Sequence, residues 1–279
     1  MIKKIKDFIT WALQARWLWT NTHISILQHQ RELLLQNERY QNPKRLNRYE
    51  NQVFSQNGED GIISEIYKRI GTASRVFLEI GVGNGLENNT TFLLQQGWKG
   101  IWIDGNQESI NFIKRHFQNV IQKGMLTVIG DLARQDNIVE ILSKLDIPVD
   151  VDLLSLDIDR NTYFVLAPIL SFLHPRVLVV EYNALYPPDI IWSVEYDSEK
   201  NWNRSSYSGA SLGAYVALTS EYGYSLVGCD ICGVNAFFVR NELLGNRFLP
   251  PYTAENHYEP LRDYLVHRKG PPRSFTDFY

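Results

Sequence analysis

The fold is decided by the stretch Phe77-Leu78-Glu79-Ile80-Gly81-Val82-Gly83-Asn84-Gly85. Its apolar beginning is typical of a buried strand, its three glycines predict a turn, and a helical pattern follows at about Asn88. Glycine adopts backbone angles that other residues avoid, and it lets a ligand approach the main chain closely. The next helix would present N–H groups that have no partner within the helix. The pattern therefore predicts a ligand-binding turn at the end of a strand.

Outward from this turn, strand and helix patterns alternate, which predicts βαβ units and a mostly parallel sheet. The predicted strands are Arg75–Ile80, Gly100–Asp104, Leu126–Ile129, Val151–Leu156 and Arg176–Glu181, separated by helices at Asn88–Gln96, Glu108–Gln118, Asp136–Leu145 and Asn161–Leu173. After a helix at Ser211–Tyr222, the runs Tyr224–Cys229 and Asn235–Arg240 predict a closing antiparallel hairpin. We therefore expect a Rossmann-like α/β fold with a seven-stranded sheet, one of whose strands is antiparallel.

Composition narrows the class of protein. The formal net charge of -3 argues against a general nucleic-acid binder. Two cysteines, Cys229 and Cys232, give no disulfide framework, and a hairpin turn explains their spacing better than a redox pair or half of a zinc site. We find no stretch long and apolar enough to span a bilayer and no signal-peptide cleavage pattern. We expect a cytoplasmic protein, with attachment to a membrane surface as an alternative.

Acidic residues recur at the predicted strand ends. Glu79 stands two residues before the first glycine, where its charge would repel a pyrophosphate and attract an amino group. Asp104-Gly105 ends the second strand, where an acid can accept both hydroxyls of a ribose, and Asp131-Leu132 follows the third, within reach of an adenine amino group. Residue 86 is leucine, so the dinucleotide pattern G-x-G-x-x-G is not met. Strand-end loops are polar in any case, which is the alternative explanation.

These features resemble the cofactor half of class I S-adenosylmethionine-dependent methyltransferases. The segment Phe54-Ser55-Gln56-Asn57-Gly58-Glu59-Asp60 is similar to the Ser-Gln-x-Gly-Glu-Asp segment of FkbM-type methyltransferases, which mostly O-methylate sugars and related natural products. A simpler reading of this segment is a helix cap, with Asn57 as N-cap and Asp60 at the third helical position. The resemblance implies S-adenosylmethionine as cofactor. The residues predicted to bind it are Ser55, Glu79, Gly81, Gly83, Gly85, Asp104, Gly105, Asp131 and Leu132.

A second group of polar residues follows the fourth and fifth strands. Asp157 and Asp159 come after one, Glu181 and Asn183 after the other, and neighbouring parallel strands bring their ends together. We predict Asp157, Asp159 and Glu181 as catalytic residues. Asp157, Glu181 and Asn183 would also suit Mg²⁺, as in metal-dependent O-methyltransferases, although the spacing Glu181-x-Asn183 departs from their adjacent pair. Without metal, the acids would bind acceptor hydroxyls or take a proton.

A long segment without regular pattern joins the fifth strand to the helix at Ser211. Loops of this length are usually functional, and aromatic faces beside polar groups suit a sugar-like acceptor. The aromatic residues predicted to bind the acceptor are Tyr186, Trp192, Tyr196, Trp202 and Tyr207. The alternative is a small core that covers the edge of the sheet.

The two ends of the chain are predicted to be appendages. Residues 1–50 form the predicted N-terminal appendage. Within it, the pattern predicts helix from about Ile2 to Tyr40, with a break at Asn21-Thr22 where Thr22 would cap a second helix. This arm, with Trp11, Trp17 and Trp19, would contact a membrane surface, form homo-oligomers, or pack on its own domain. Residues 51–248 form the predicted cofactor-binding domain, and residues 249–279, which include His257 and the basic stretch His267-Arg268-Lys269, form a tail packed on it.

Taken together, these patterns predict a methyltransferase that O-methylates a saccharide or related small acceptor. Two alternatives remain at this stage. One is a nucleotide-sugar or NAD-using oxidoreductase, against which the missing dinucleotide pattern counts. The other is a non-catalytic interaction protein that retains a cofactor pocket.

Overall fold

The computed structural model describes residues 2–200, 202–203, 205–265 and 273–275. At its centre lies a seven-stranded sheet with the order β3-β2-β1-β4-β5-β7-β6. The strands are β1 (Val76–Ile80), β2 (Lys99–Asp104), β3 (Leu126–Gly130), β4 (Leu153–Leu156), β5 (Val177–Glu181), β6 (Tyr224–Cys229) and β7 (Asn235–Arg240).

The predicted fold class is confirmed. Strands β1 to β5 are parallel to one another, and β7 runs antiparallel to both of its neighbours, β5 and β6. The five parallel strands lie within two residues of their predicted bounds, and the two strands of the hairpin match theirs. Strand order reverses between β1 and β4, and in open α/β sheets such a switch point marks the crevice where ligands bind.

Helices cover both faces of this sheet. They are α1 (Ile2–Gln36), α2 (Glu59–Ile70), α3 (Thr91–Gln95), α4 (Gln107–His116), α5 (Gln118–Gln122), α6 (Ile138–Ser143), α7 (Thr162–Phe172), α8 (Leu212–Glu221), α9 (Asn241–Leu244) and α10 (Ala254–His257). Short 3-10 turns occur at Glu38–Tyr40, Leu46–Tyr49, Asp159–Asn161 and Asp263–Leu265.

Alternation along the strands divides the core into two layers. Leu78, Leu154 and Leu178 pack with α7 and α8 on one face. Phe77, Leu153 and Val177, which are their immediate neighbours in sequence, pack with α2 and α4 on the other. Since successive side chains of a strand point to opposite faces, the near-continuous apolar runs of these strands follow from burial on both sides.

The N-terminal region departs from the prediction. A single helix, α1, runs from Ile2 to Gln36, so the predicted break at Asn21-Thr22 is wrong. Hydroxyl groups near this point turn back onto the helix itself: Thr20 donates to the carbonyl of Arg16 at 2.7 Å, and Ser25 donates to that of Asn21 at 2.9 Å. Polar residues that bond in this way stay within a helix instead of ending it.

The two cysteines lie at the hairpin between β6 and β7, where Cys229 ends β6 and Cys232 stands in the turn. Cys229 and Cys232 are buried free thiols. Burial raises the pKa of both thiols well above the ordinary value, so they stay protonated. Asp230 forms the turn, since its carboxylate accepts hydrogen bonds from the backbone N–H groups of Cys232, Val234 and Asn235. These residues therefore have a structural role in the turn.

The described part of the C-terminal tail packs beside β5. Glu259 is buried, with one carboxylate oxygen bonded to the Tyr40 hydroxyl at 2.7 Å and to Arg262 at 2.9 Å. The Tyr182 hydroxyl donates to the Glu259 carbonyl. His257 is buried, and its burial lowers the pKa to about 4, which keeps the imidazole neutral. The predicted basic stretch His267-Arg268-Lys269 lies outside the described residues.

Candidate functional site

The glycine turn after β1 lies against the end of β4, at the switch point of the sheet. Gly81, Gly83 and Gly85 have φ values of 85°, 55° and 76°, a region that favours glycine. A Cβ on Gly81 would lie 1.6 Å from the Asp157 carbonyl oxygen, and one on Gly85 would lie 2.8 Å from the Trp102 ring. A Cβ on Gly83 would meet no atom within 4 Å. Packing therefore requires Gly81 and Gly85, whereas Gly83 exposes its main chain to open space.

Glu79 is held in the buried layer beneath this turn. Its carboxylate accepts hydrogen bonds from the Asn88 side chain at 2.8 Å, the Asn89 backbone N–H at 2.9 Å, and the hydroxyls of Thr90 and Ser155. Burial raises the pKa of Glu79 to about 7, although these donors oppose that effect. Glu79 thus ties the turn to the approach of α3 and to β4. Any amino group of a ligand would have to share the carboxylate with four protein donors.

The predicted acid at the end of β2 stands beside the glycine turn. Asp104 accepts the Gly83 N–H at 2.8 Å through one oxygen and the Asn106 N–H at 2.7 Å through the other. Each oxygen keeps a lone pair for a further donor. Gly105 lies against Leu132, since a Cβ there would be 2.9 Å from the leucine Cδ1. The ends of β2 and β3 therefore form a continuous shelf.

Asp131 and Leu132 form the outer part of that shelf. Both side chains are exposed, Leu132 by 45%. An exposed leucine beside an exposed carboxylate offers a flat ring an apolar contact and a hydrogen-bond acceptor. Both residues lie at the carboxyl end of β3, and their contact with adenine stays a prediction.

The Ser55–Asp60 segment departs from its predicted helix cap. Helix α2 begins at Glu59 with Gly58 as its N-cap, so the prediction of Asn57 as N-cap is wrong. Asp60 instead accepts hydrogen bonds from the Ser55 hydroxyl and from the backbone N–H groups of residues 53–55. Ser55 is fully buried. Gln56 and Glu59 of this segment line a cavity beside the glycine turn.

Three acids that were predicted as catalytic residues converge at the ends of β4 and β5. One carboxylate oxygen each of Asp157, Asp159 and Glu181 lies within 4.8 Å of the others; we name these residues the carboxylate triad. Asp159 has a φ of 55°, in the left-handed region, which turns the chain sharply after β4. The predicted convergence of the two strand ends is thus present in the structure, where β4 and β5 are paired in parallel.

The three acids of the triad shift one another's pKa values. Burial raises the pKa of Glu181 well above its usual range, and the neighbouring Asp157 charge raises it further. Burial also raises the pKa of Asp157, while a hydrogen bond from Glu181 lowers it. The carboxyl groups line an open cleft, so water reaches them even though protein atoms surround them on most sides. Because the pKa of Glu181 is raised more strongly, Asp157 is the more acidic partner of a pair that titrates jointly.

Asn183, the third predicted metal ligand, is engaged elsewhere. Its amide N–H groups donate to the carbonyls of Ser206 and Ser208, both at 2.9 Å, and its side-chain oxygen accepts the Leu185 N–H. This side chain therefore holds the loop after β5 in place. Asp159 contributes the third oxygen of the acidic group instead.

Two cavities meet at the triad. The first, named the glycine-turn cavity, has a volume of about 340 Å³ and is bounded by the glycine turn, Gln56, Glu59, Asp157, Glu181 and Asn235. The second, named the loop cavity, has a volume of about 430 Å³ and is bounded by Asp159, Glu181, Trp202, Ser206, Leu261 and Asp263. Glu181 and Val234 line both. The triad therefore stands where two bound molecules would touch.

The aromatic residues of the long loop divide into two sets. Tyr186 stacks on Trp192 with ring centroids 4.2 Å apart, and Tyr207 meets Trp192 edge to face. Tyr196 packs on Phe164 of α7. Of the five predicted acceptor contacts, Trp202 is the one that lines the loop cavity. The others form small packed clusters, which agrees with the alternative of a small core.

Several residues that line the two cavities were not predicted from the sequence. Leu261 and Asp263 come from the tail, where no pattern signals a site, and Val234 comes from the hairpin. Glu59 and Asn235 are joined by a hydrogen bond of 2.7 Å beside the glycine-turn cavity. Glu59 lies within the Ser55–Asp60 segment, so the resemblance of that segment was a signal for this region, although the residue predicted from it was Ser55.

No protein-family model and no curated protein matches this sequence. Among solved structures, the chain is similar to the CcbJ methyltransferase from Streptomyces caelestis, with 13% identity over 65% of this chain and 95% of that one and a TM-score of 0.40. An O-methyltransferase from Bacillus cereus in complex with SAH gives 12% identity, 78% and 89% coverage, and a TM-score of 0.41. An S-adenosylmethionine-dependent methyltransferase from Clostridium acetobutylicum has 11% identity over 68% of this chain and 93% of that one, with a TM-score of 0.41. Likeness at this level says nothing of the acceptor.

Proposed function

We propose that this chain is an S-adenosylmethionine-dependent methyltransferase that O-methylates a saccharide or a related small hydroxylated acceptor. The observation that carries the proposal is the carboxylate triad at the junction of two cavities. One cavity is bounded by a glycine turn at the switch point of the sheet, and the other by a loop with an aromatic residue. A proton acceptor between a methyl donor and a hydroxyl is the arrangement that O-methylation requires.

The glycine turn of the first cavity and the neighbouring ends of β2 and β3 fit the donor. The open main chain at Gly83 would accept the methionine portion, Asp104 has lone pairs for the ribose hydroxyls, and the Asp131–Leu132 shelf suits the adenine. S-adenosylmethionine, when bound, supplies a methyl group on a positively charged sulfur. The resemblance of Ser55–Asp60 to the FkbM-type segment supports the same class of enzyme.

The triad supplies the remaining chemistry. The acceptor hydroxyl oxygen forms a bond to the methyl carbon while the carbon–sulfur bond breaks, and that electron pair stays on sulfur as a neutral thioether. The hydroxyl proton passes to Asp157, whose hydrogen bond from Glu181 keeps it ionised. Asp159 faces the loop cavity and orients the acceptor.

The oxygen donors of the triad also fit a hard cation. Asp157, Asp159 and Glu181 would hold Mg²⁺, which would lower the pKa of an acceptor hydroxyl. Asn183 would have to leave its loop carbonyls to take part. The interaction of Asp157 with Glu181 favours transfer of the hydroxyl proton directly to Asp157. Assays of metal-free enzyme distinguish this route from one in which Mg²⁺ lowers the pKa of the hydroxyl.

The loop cavity favours a neutral acceptor. Its volume of about 430 Å³ lies in the usual range of small-molecule sites. Among its lining residues that the structure describes, Asp159, Glu181 and Asp263 are acidic, and none is basic. A phosphorylated or carboxylated acceptor would meet repulsion there, whereas a neutral sugar would find hydroxyl, carboxylate and indole groups.

Calorimetric titration with S-adenosylmethionine and S-adenosylhomocysteine tests the donor class. We expect micromolar binding of both ligands, and we expect Asp104→Asn to weaken it by about tenfold or more, because a carboxylate that accepts ribose hydroxyls is lost. Asp136→Asn, at a side chain that is 78% exposed, is the matched control and should bind as the wild type does. If the wild-type protein bound neither ligand, the proposal would fail and the oxidoreductase alternative would take its place.

Trp202→Ala tests the acceptor side. Once a screen of glycosides has given a methylated product, we expect this variant to raise the acceptor KM by about tenfold, because a sugar loses its stacking surface. The affinity for S-adenosylmethionine should stay unchanged. Trp202 is 47% exposed, so its loss should scarcely alter the unfolding temperature. An unchanged KM would place the acceptor outside the loop cavity.

A further inference from the structure

The N-terminal half of α1 projects from the domain with its apolar side chains in solvent. Of the side chains described at positions 5–7 and 9–26, none is buried, and the first buried one along the helix is Leu27. Ile5, Ile9, Leu13 and Leu18 are 53%, 52%, 62% and 62% exposed. The helix spans Ile2–Gln36, so the 25 residues that precede Leu27 are about 37 Å long. A patch of this kind marks a contact surface.

The charge of this arm is opposite to that of the rest of the chain. Residues 1–20 contain Lys3, Lys4, Lys6 and Arg16 against one acid, Asp7, which gives a net charge of +3. Since the whole chain has a charge of -3, residues 21–279 carry -6. Positive charge together with exposed apolar residues is complementary to an anionic lipid surface, which attracts basic segments and takes up apolar side chains.

The distribution of the apolar residues also fits an interface with lipid. At 3.6 residues per turn, Ile5, Ile9, Ala12 and Trp19 share one face with Arg16, while Trp11 and Trp17 lie about 120° to either side of its centre. Tryptophan rings are enriched at the level of lipid headgroups, and a long arginine side chain reaches that level while its stem stays among apolar groups. Among the described residues, no helix has the length and apolar character needed to cross a bilayer.

A second copy of the chain explains the pattern less well. The seam with alternating spacings of four and three residues runs through Ile5, Ile9, Ala12, Arg16 and Trp19. A two-stranded coiled coil would bring Arg16 against its own copy in this seam, whereas at an anionic lipid surface the same guanidinium would reach the headgroups. We propose that residues 2–20 form an interfacial helix that docks the protein on an anionic lipid surface, lying along it without crossing.

Co-sedimentation of the full chain with vesicles tests this proposal. Vesicles of one part phosphatidylglycerol to two parts phosphatidylcholine should bind the protein, those of phosphatidylcholine alone should bind it at least about tenfold more weakly, and added salt should release it. Two variants of the arm, Lys3→Glu/Lys4→Glu/Lys6→Glu and Ile5→Gln/Ile9→Gln/Leu13→Gln, should each lower the partition coefficient by about tenfold or more. The thermal unfolding of the domain should not change in either.

A matched charge reversal on the domain separates a specific arm from general attraction. Lys68→Glu/Lys114→Glu/Lys144→Glu makes the same change in net charge at exposed lysines and should bind the anionic vesicles as the wild type does. Equal loss of binding in this control, or failure of the wild-type protein to bind anionic vesicles, would overturn the proposal. So would light scattering that detects an arm-dependent dimer unable to bind vesicles, which would assign the surface to a second copy.

Discussion

Asp157→Asn is expected to lower kcat for methyl transfer by about 10²–10⁴-fold, the usual effect of removing a general base. Asparagine keeps the size of the side chain but cannot take the acceptor proton. Affinity for S-adenosylmethionine should stay near that of the wild type, because the proposed contacts of the donor are with the glycine turn and Asp104. Labelled-methyl transfer and calorimetric titration measure the two quantities separately.

The activity of the wild-type enzyme is expected to depend on pH through the ionisation of Asp157. The proposed base acts only when ionised, and burial raises the pKa of Asp157 above the usual aspartate value. We therefore expect wild-type activity to be lost as the pH falls through that raised pKa, and to be full above it. Glu181→Gln retains a hydrogen-bond donor to Asp157, so it should cost about tenfold in kcat and keep the acidic limb of the profile.

Two controls complete the experiment. Glu140→Gln changes a carboxylate that is 71% exposed on the far side of α6 and should leave kcat unchanged. Enzyme dialysed against EDTA should keep its activity if Asp157 takes the proton itself, whereas loss of activity that Mg²⁺ restores would assign this step to a cation. Wild-type activity in Asp157→Asn would contradict both routes.

Much of the fold could be predicted because each strand is an apolar run of the length that a buried strand requires. The hairpin strands Tyr224–Cys229 and Asn235–Arg240 have their predicted bounds, since the polar and glycine-containing turn between them interrupts the pattern sharply. The break predicted in α1 failed because the polar residues Thr20 and Ser25 satisfy their hydroxyl groups within the helix. Polar side chains by themselves do not tell a cap from a helix interior.

The site could be predicted as far as the backbone determines it. Asp157 and Glu181 had to meet because β4 and β5 are neighbours, and Asp104 had to lie beside the glycine turn. The sequence pattern could not predict which groups a given side chain would contact. Asn183 binds loop carbonyls, and Trp192 packs on Tyr186, because the loop after β5 folds back on itself. Sequence spacing carries no information on such a loop.

Gly81→Ala is expected to destabilise the protein more than any other single change in the turn. The new Cβ would stand 1.6 Å from the Asp157 carbonyl oxygen and 2.6 Å from its carbon, and neither can move without shifting the end of β4. The φ of 85° adds strain for any residue with a side chain. We expect a loss of more than about 4 kcal/mol in the free energy of unfolding, measured by urea denaturation.

Gly83→Ala is the matched comparison, because it makes the same chemical change two residues along the same turn. Its φ of 55° costs a side chain about 1–2 kcal/mol, and a Cβ there meets no atom within 4 Å. The variant should therefore fold, yet bind S-adenosylmethionine more weakly, since the methyl group enters the glycine-turn cavity. Wild-type affinity in Gly83→Ala would mean that the donor does not approach this main chain, and wild-type stability in Gly81→Ala would mean that the turn does not pack on β4. The pair thus separates what glycine does for the fold from what it does for the ligand.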